Sequence, residues 1–219
     1  MPTAPLPQDP HRDQPVLVAG TALEHAKAAM LMVHGRGASA EDILALALEL
    51  RHPEIAYLAP QAADNAWYPY RFMEPIARNE PWLTSALNKL EALVTQITAA
   101  GISPERIVLL GFSQGACLAQ EYAARHARRY GGLVGLSGGL IGPDGTPRAY
   151  TGSLAGTPVF LGCSDVDPHI PQARVDLSAE VFRQLGGQVT ERIYPNLAHT
   201  VNRDELSAVR EMLAALIPS

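Results

Sequence analysis

Ser113 stands in Gly111-Phe112-Ser113-Gln114-Gly115, with a glycine two places away on either side. The apolar run Ile107 to Leu110 leads into it, and the stretch after it reads as a helix. Strand, sharp turn and helix in this order would lift the serine hydroxyl above a sheet, where it can attack a carbonyl carbon. The flanking positions need glycine because backbone crowds such a turn. The amides that open the next helix, with Gln114 first, would face an oxyanion forming at the serine. A serine hydroxyl is a weak nucleophile alone, so it needs a base, and the base needs an orienting acid.

Both partners should follow the serine along the chain, acid before histidine. Of the seven histidines, His11 falls in the N-terminal tail, and His25, His34 and His52 precede the serine. His126 lies on the helix after it, and His169 follows Asp167 closely. His199, in Asn196-Leu197-Ala198-His199-Thr200, sits between the last strand and the last helix. That is the carboxyl edge of the sheet, where open α/β folds bind ligands, so His199 is the expected base. The stretch Gly162 to Pro171 offers Asp165 and Asp167. Asp167 is the preferred acid, with Asp165 kept as a second candidate; the other carboxylate would brace the loop.

These residues must be held by strands alternating with helices. Continuous apolar runs at 28–33, 55–59, 106–110, 132–136 and 158–162 predict strands buried on both faces of a parallel sheet. The segment 188–194 alternates like an edge strand. Helices are expected from Ser39 onward, from Pro81 to Gly101, after Ser113, over 172–185 and over 202–217, with Ser39 and Asn202 as caps. The fold class is α/β: a mostly parallel central sheet, helices on both faces and no separate cap domain. Residues 1–14 read as a flexible proline-rich tail and 15–219 as a single domain.

One segment breaks the alternation. Residues 61–80, QAADNAWYPYRFMEPIARNE, are too long for an ordinary connection and concentrate Trp67, Tyr68, Tyr70 and Phe72. Either the rings pin a surface loop, or they form a wall or lid over a substrate site. Arg71 among them could pair with an anionic substrate group or simply snorkel at the surface. Cys117, one helical turn after Ser113, and Cys163 read as packing residues.

Composition narrows the classes. The chain of 219 residues is 47% hydrophobic and 18% charged, enough for one core, and its formal net charge of −5 has no block of like charges. Nucleic acid and stable membrane insertion are not expected. The N-terminus lacks the apolar stretch of a signal peptide, and two cysteines make no framework or metal spacing, so a cytoplasmic setting is expected.

His34-Gly35-Arg36-Gly37, Gly111-Phe112-Ser113-Gln114-Gly115, Asp167-Pro168-His169-Ile170-Pro171 and Ala198-His199 together resemble the phospholipase/carboxylesterase family of α/β-hydrolases, over about residues 28 to 216. That family includes acyl-protein thioesterases and small bacterial carboxylesterases. The resemblance implies a triad of Ser113, Asp167 and His199, and an oxyanion hole from the backbone N–H groups of Gln114 and Arg36. It implies no metal and no cofactor, a small-molecule ester as partner, and room for a homodimer. Trp67-Tyr68-Pro69 stands where the eukaryotic thioesterases tend to carry Trp-Phe-Asp, and Arg36 replaces a common leucine. The implied activity is hydrolysis of short-chain or aromatic carboxylic esters through an acyl-enzyme. Lysophospholipase or acyl-thioesterase work on longer chains is the alternative, and a non-catalytic binding protein is the alternative of another class.

Overall fold

The computed structural model describes residues 9–217. Seven strands form one sheet: β1 (Val16–Gly20), β2 (Ala28–Val33), β3 (Ile55–Pro60), β4 (Ile107–Phe112), β5 (Gly132–Leu136), β6 (Pro158–Ser164) and β7 (Gln188–Tyr194), in spatial order β1-β3-β2-β4-β5-β6-β7. Every pairing is parallel except β1 with β3. Strand β1 was not expected. Its residues are partly or fully exposed, with Val18 72% accessible, so neither burial nor alternation marks it.

The inner strands show why their sequences read as unbroken apolar runs. Ala29, Leu31 and Val33 of β2 face one core, and Ala28, Met30 and Met32 face the other. Helices α2 (Trp82–Ala99), α3 (Gln114–Arg125) and α4 (Gln172–Gln184) cover the first face. Helices α1 (Ala40–Glu49) and α5 (Arg203–Leu216) cover the second. Ser39 and Asn202 cap α1 and α5 through full capping boxes, with Asp42 and Glu205 as the reciprocal partners. This is the α/β-hydrolase arrangement, with no separate cap among the described residues.

The N-terminal stretch differs from its expectation. Residues 1–8 lie outside the described residues, but 9–14 pack along α2 rather than trailing free. Lys89 donates to the carbonyls of Arg12 and Gln14 at 3.0 and 2.7 Å, and Ser85 bonds Asp9 and the His11 amide. His11 is fully buried. Its Nε2 donates to the Trp67 carbonyl at 3.0 Å, and its Nδ1 accepts from the Ala63 amide at 3.1 Å. His34 has the matching role from the other side. Its Nδ1 donates to the Gly35 carbonyl at 2.8 Å, its Nε2 accepts from the Ala62 amide at 3.0 Å, and its own carbonyl takes the Trp67 indole N–H at 2.9 Å. The Trp67 ring thus lies between two imidazoles, with centroids at 5.3 and 5.0 Å.

Burial lowers the pKa of both His11 and His34 below the ordinary value of 6.5. The unfolded chain therefore binds protons that the folded chain refuses. Stability is unaffected above that value and is lost as pH falls below it. Glu205, pushed by burial to about 7, acts in the opposite direction. Comparing wild type with the His11→Asn/His34→Gln pair cancels Glu205, which both chains carry. The thermal midpoint of wild type should fall more steeply from pH 7.5 to 5 than that of the double variant. Parallel curves would mean the two imidazoles are not the acid-labile groups.

Candidate active site

Four loops at the carboxyl ends of β2, β4, β6 and β7 bring the chemical groups together. Ser113 follows β4 directly and caps α3 with φ 54° and ψ −120°, a left-handed conformation that a non-glycine residue holds at a cost of about 1–3 kcal/mol. The turn is so tight that a Cβ on Gly111 would overlap the backbone of Gly115 and Ala116, and one on Gly115 would overlap the carbonyls of Val33 and His34. The Ser113 amide is fixed by the Leu136 carbonyl at 2.9 Å, and its carbonyl starts α3 by accepting from Cys117 at 3.0 Å.

The Ser113 hydroxyl lies 2.9 Å from His199 Nε2, and His199 Nδ1 lies 2.6 Å from Asp167 Oδ2. Of the two candidate acids, Asp167 is therefore the one that meets the imidazole. Its other oxygen accepts from the amides of His169 and Ile170 at 2.8 and 3.0 Å. Burial pulls the Asp167 carboxyl upward, but the His199 bond and those two amides outweigh it and hold the carboxyl below its ordinary value. It stays an anion at neutral pH, as a partner for a transient imidazolium must. Asp165 takes the bracing role. Its side chain accepts from the Asn196 amide at 2.8 Å, fastening the loop that carries His199. His199 keeps 18% of its side chain accessible whereas that of Asp167 is sealed. Phe112 and His169 pack against the imidazole, with ring centroids at 5.0 and 4.8 Å.

Beside Ser113 opens a cleft of about 280 Å³ whose apolar lining comes from Tyr68, Phe72, Phe112, Cys117 and Ile170. Of the four aromatic rings of the 61–80 segment, Tyr68 and Phe72 line the cleft. Trp67 and Tyr70 do not line the cleft. Trp67 is fully buried behind the wall between the two imidazoles, and Tyr70 is 45% exposed with its ring under the Arg78 guanidinium at 4.3 Å. The aromatic cluster therefore divides into lining and support. Cys117 and Cys163 are buried free thiols whose pKa burial raises to about 12, so neither competes as nucleophile. Among the described residues no cluster of three or more His, Cys, Asp or Glu could hold a metal. On the far side of Phe112 and His199 lies a second cleft of about 370 Å³, and Asp42 is among its lining residues.

The phospholipase/carboxylesterase family model matches residues 16–217. The chain belongs to this family. It is 27% identical to acyl-protein thioesterase 1 of Saccharomyces cerevisiae, across 90% of this chain and 96% of the relative. With acyl-protein thioesterase 1 of Gibberella zeae it shares 34% identity over 128 residues, 58% of this chain and 54% of the relative. Among solved structures, the phospholipase/carboxylesterase of Dyadobacter fermentans superposes with a TM-score of 0.89 at 41% identity, over 92% of this chain and 96% of the other. The Bacillus cereus carboxylesterase, at 19% identity and a TM-score of 0.73, shares the fold over 94% and 96% of the two chains. This member of the phospholipase/carboxylesterase family is accordingly a serine hydrolase of the carboxylic-ester type.

The side chains of its two expected oxyanion residues have a second job that sequence reasoning missed. The Gln114 side chain accepts from the Trp67 amide at 2.9 Å and donates to the Tyr68 carbonyl at 2.8 Å. The Arg36 guanidinium donates to the carbonyls of Tyr68, Pro69 and Tyr70 at 2.8, 2.8 and 2.6 Å. Residues 67–70 of the wall thus hang from the loop after β2 and from the first residue of α3. The Arg36 amide itself has no acceptor among the described residues. No signal in the sequence marks this clamp, since a guanidinium bonded to successive carbonyls has no acidic partner to betray it. Lysine keeps the charge but cannot span three carbonyls. Arg36→Lys should lower kcat on a neutral ester by about 10- to 100-fold through misplacement of the clamped segment. Steady-state kinetics beside a thermal-unfolding control read this directly. Wild-type turnover in the variant would show the clamp to be dispensable.

Proposed function

We propose that this chain is a serine carboxylesterase that cleaves short-chain or aromatic carboxylic esters through an acyl-enzyme. The observation that carries the reading is the chain of bonds from Ser113 Oγ through the His199 ring to Asp167, at 2.9 and 2.6 Å. A bonded Asp167 fixes Nδ1 of His199 as the protonated nitrogen, which leaves Nε2 to accept the serine proton. Ser113 then attacks the ester carbonyl. The oxyanion binds to the amides of Gln114 and Arg36. His199 returns its proton to the departing alcohol, and a water activated by the same nitrogen releases the acid.

The small cleft favours short or aromatic acyl groups. At about 280 Å³ it lies at the lower end of the range for pockets that enclose drug-sized ligands. Acyl-thioester hydrolysis is the second reading, favoured by the acyl-protein thioesterase relatives, and it would use the same residues. A non-catalytic binding role finds no support in a site where each triad member keeps its partner.

Hydrolysis of p-nitrophenyl esters from acetate to palmitate separates these readings. Wild type should show an optimum at short chains, with Ser113→Ala reduced to background and Asp167→Asn lowered roughly 10³- to 10⁴-fold in kcat. A serine-dependent optimum at long chains would move the assignment to lysophospholipase or thioesterase work. Serine-independent turnover would remove Ser113 from its role.

A further inference from the structure

The cleft beside Ser113 is lined by two arginines, Arg36 and Arg71, and by no aspartate or glutamate. Arg36 is fully engaged by the three wall carbonyls. Arg71 is not. Among the described residues its guanidinium makes no ion pair and no side-chain hydrogen bond, although it lies three residues from a glutamate. That glutamate, Glu74, is taken by Arg78 at 2.8 Å.

The backbone around Arg71 is nevertheless fixed on every side. The buried Asn79 accepts from the Tyr70 amide at 2.9 Å and donates to the Arg71 carbonyl at 3.2 Å. Arg36 holds the Tyr70 carbonyl, and the Gly142 amide holds that of Phe72 at 2.7 Å. Phe72 is buried in the first core. A rigid turn therefore presents an exposed cation at the edge of the cleft, with no ion-pair partner among the described residues, where it can form a charge-assisted bond. The neighbouring cleft carries Asp42, so the two sides of the nucleophile differ in sign.

We propose that Arg71 recognises a carboxylate on the substrate, and that this site prefers esters carrying a second, ionised carboxyl group. The proposal rests on the ester-hydrolase reading above. The carboxylate could belong to the acyl part or to the alcohol part of the ester, and matched pairs tell them apart. The acyl pair is monoethyl glutarate against ethyl pentanoate; the alcohol pair is 4-acetoxybenzoate against phenyl acetate. In one pair, the charged-to-neutral ratio of kcat/KM should fall by up to about tenfold on Arg71→Gln, mostly through KM, since a charge-assisted bond at an exposed site is worth at most about that much. Arg71→Lys should keep part of the ratio, and added salt should erode it in wild type. Ratios that Arg71→Gln leaves unchanged in both pairs would overturn the proposal. Ser113→Ala supplies a readout without turnover. Its thermal midpoint should rise with the charged ester of the preferred pair and not with the neutral one, and the rise should vanish in Ser113→Ala/Arg71→Gln. Hydrolysis of no ester by wild type would sink the esterase reading alone, because the thermal shift, run with the charged and neutral esters of both pairs, still decides on Arg71.

Discussion

The molecule depends on one strained residue. Ser113 sits at positive φ because β4 and α3 approach each other, and β2, more closely than any side chain allows. Glycine at 111 and 115 is the condition for that approach. Once it is met, the parallel pairing of β4 with β2 and β5 fixes the height of the hydroxyl over the sheet. The same register sets where the other loops begin. Leu136 pairs with both Phe112 and Gly162, and Ser164 pairs with Tyr194, so the loops bearing Asp167 and His199 start level with the elbow. The strain is local and small beside the two cores that impose it.

A second constraint joins the loop after β2 and the start of α3 to the wall of the cleft. Gln114 opens α3 and Arg36 lies on the loop after β2, yet their side chains grip one four-residue segment. Any shift of the wall is therefore felt both at the loop after β2 and at the start of α3, next to Ser113. Behind the wall, Trp67 fills the space between His11 and His34, and the strap of residues 9–14 closes the back through Ser85 and Lys89. A segment without regular structure is thereby made rigid by side chain-to-backbone bonds, which answer the buried polar groups that a sheet or helix would have satisfied.

The sequence carried most of the frame and the centre of the site. Inner strands are buried on both faces, so hydrophobicity alone marks β2 to β6. Caps are chemical, so Ser39 and Asn202 could be read directly. The elbow has a spacing rule, and acid and base follow it in fixed order, which is why Ser113, Asp167 and His199 could be named. What escaped detection depends on long-range packing. Strand β1 has no buried face to pattern it. His11 looks like tail because the partners that bury it, Ala63, Trp67 and Ser85, lie more than 50 residues away. Trp67 and Tyr70 share composition with Tyr68 and Phe72, and only the path of the backbone decides which rings reach the cleft.

The histidines show most directly why residue type underdetermines role. His11, His34 and His199 all have both ring nitrogens engaged. In His11 and His34 one nitrogen faces a carbonyl and the other a main-chain amide, and burial disfavours the cation. An amide can only donate, so that nitrogen is committed as an acceptor and can take no proton without breaking the bond. Such a ring is a fixed, neutral strut. His199 instead places a carboxylate on one nitrogen and a hydroxyl on the other, with part of its surface open to water. The hydroxyl can give up its proton, and the carboxylate stabilises the cation that results. The difference between a strut and the proposed base thus lies in what the partners can do with a proton, and the fold decides it by choosing which partners each imidazole meets.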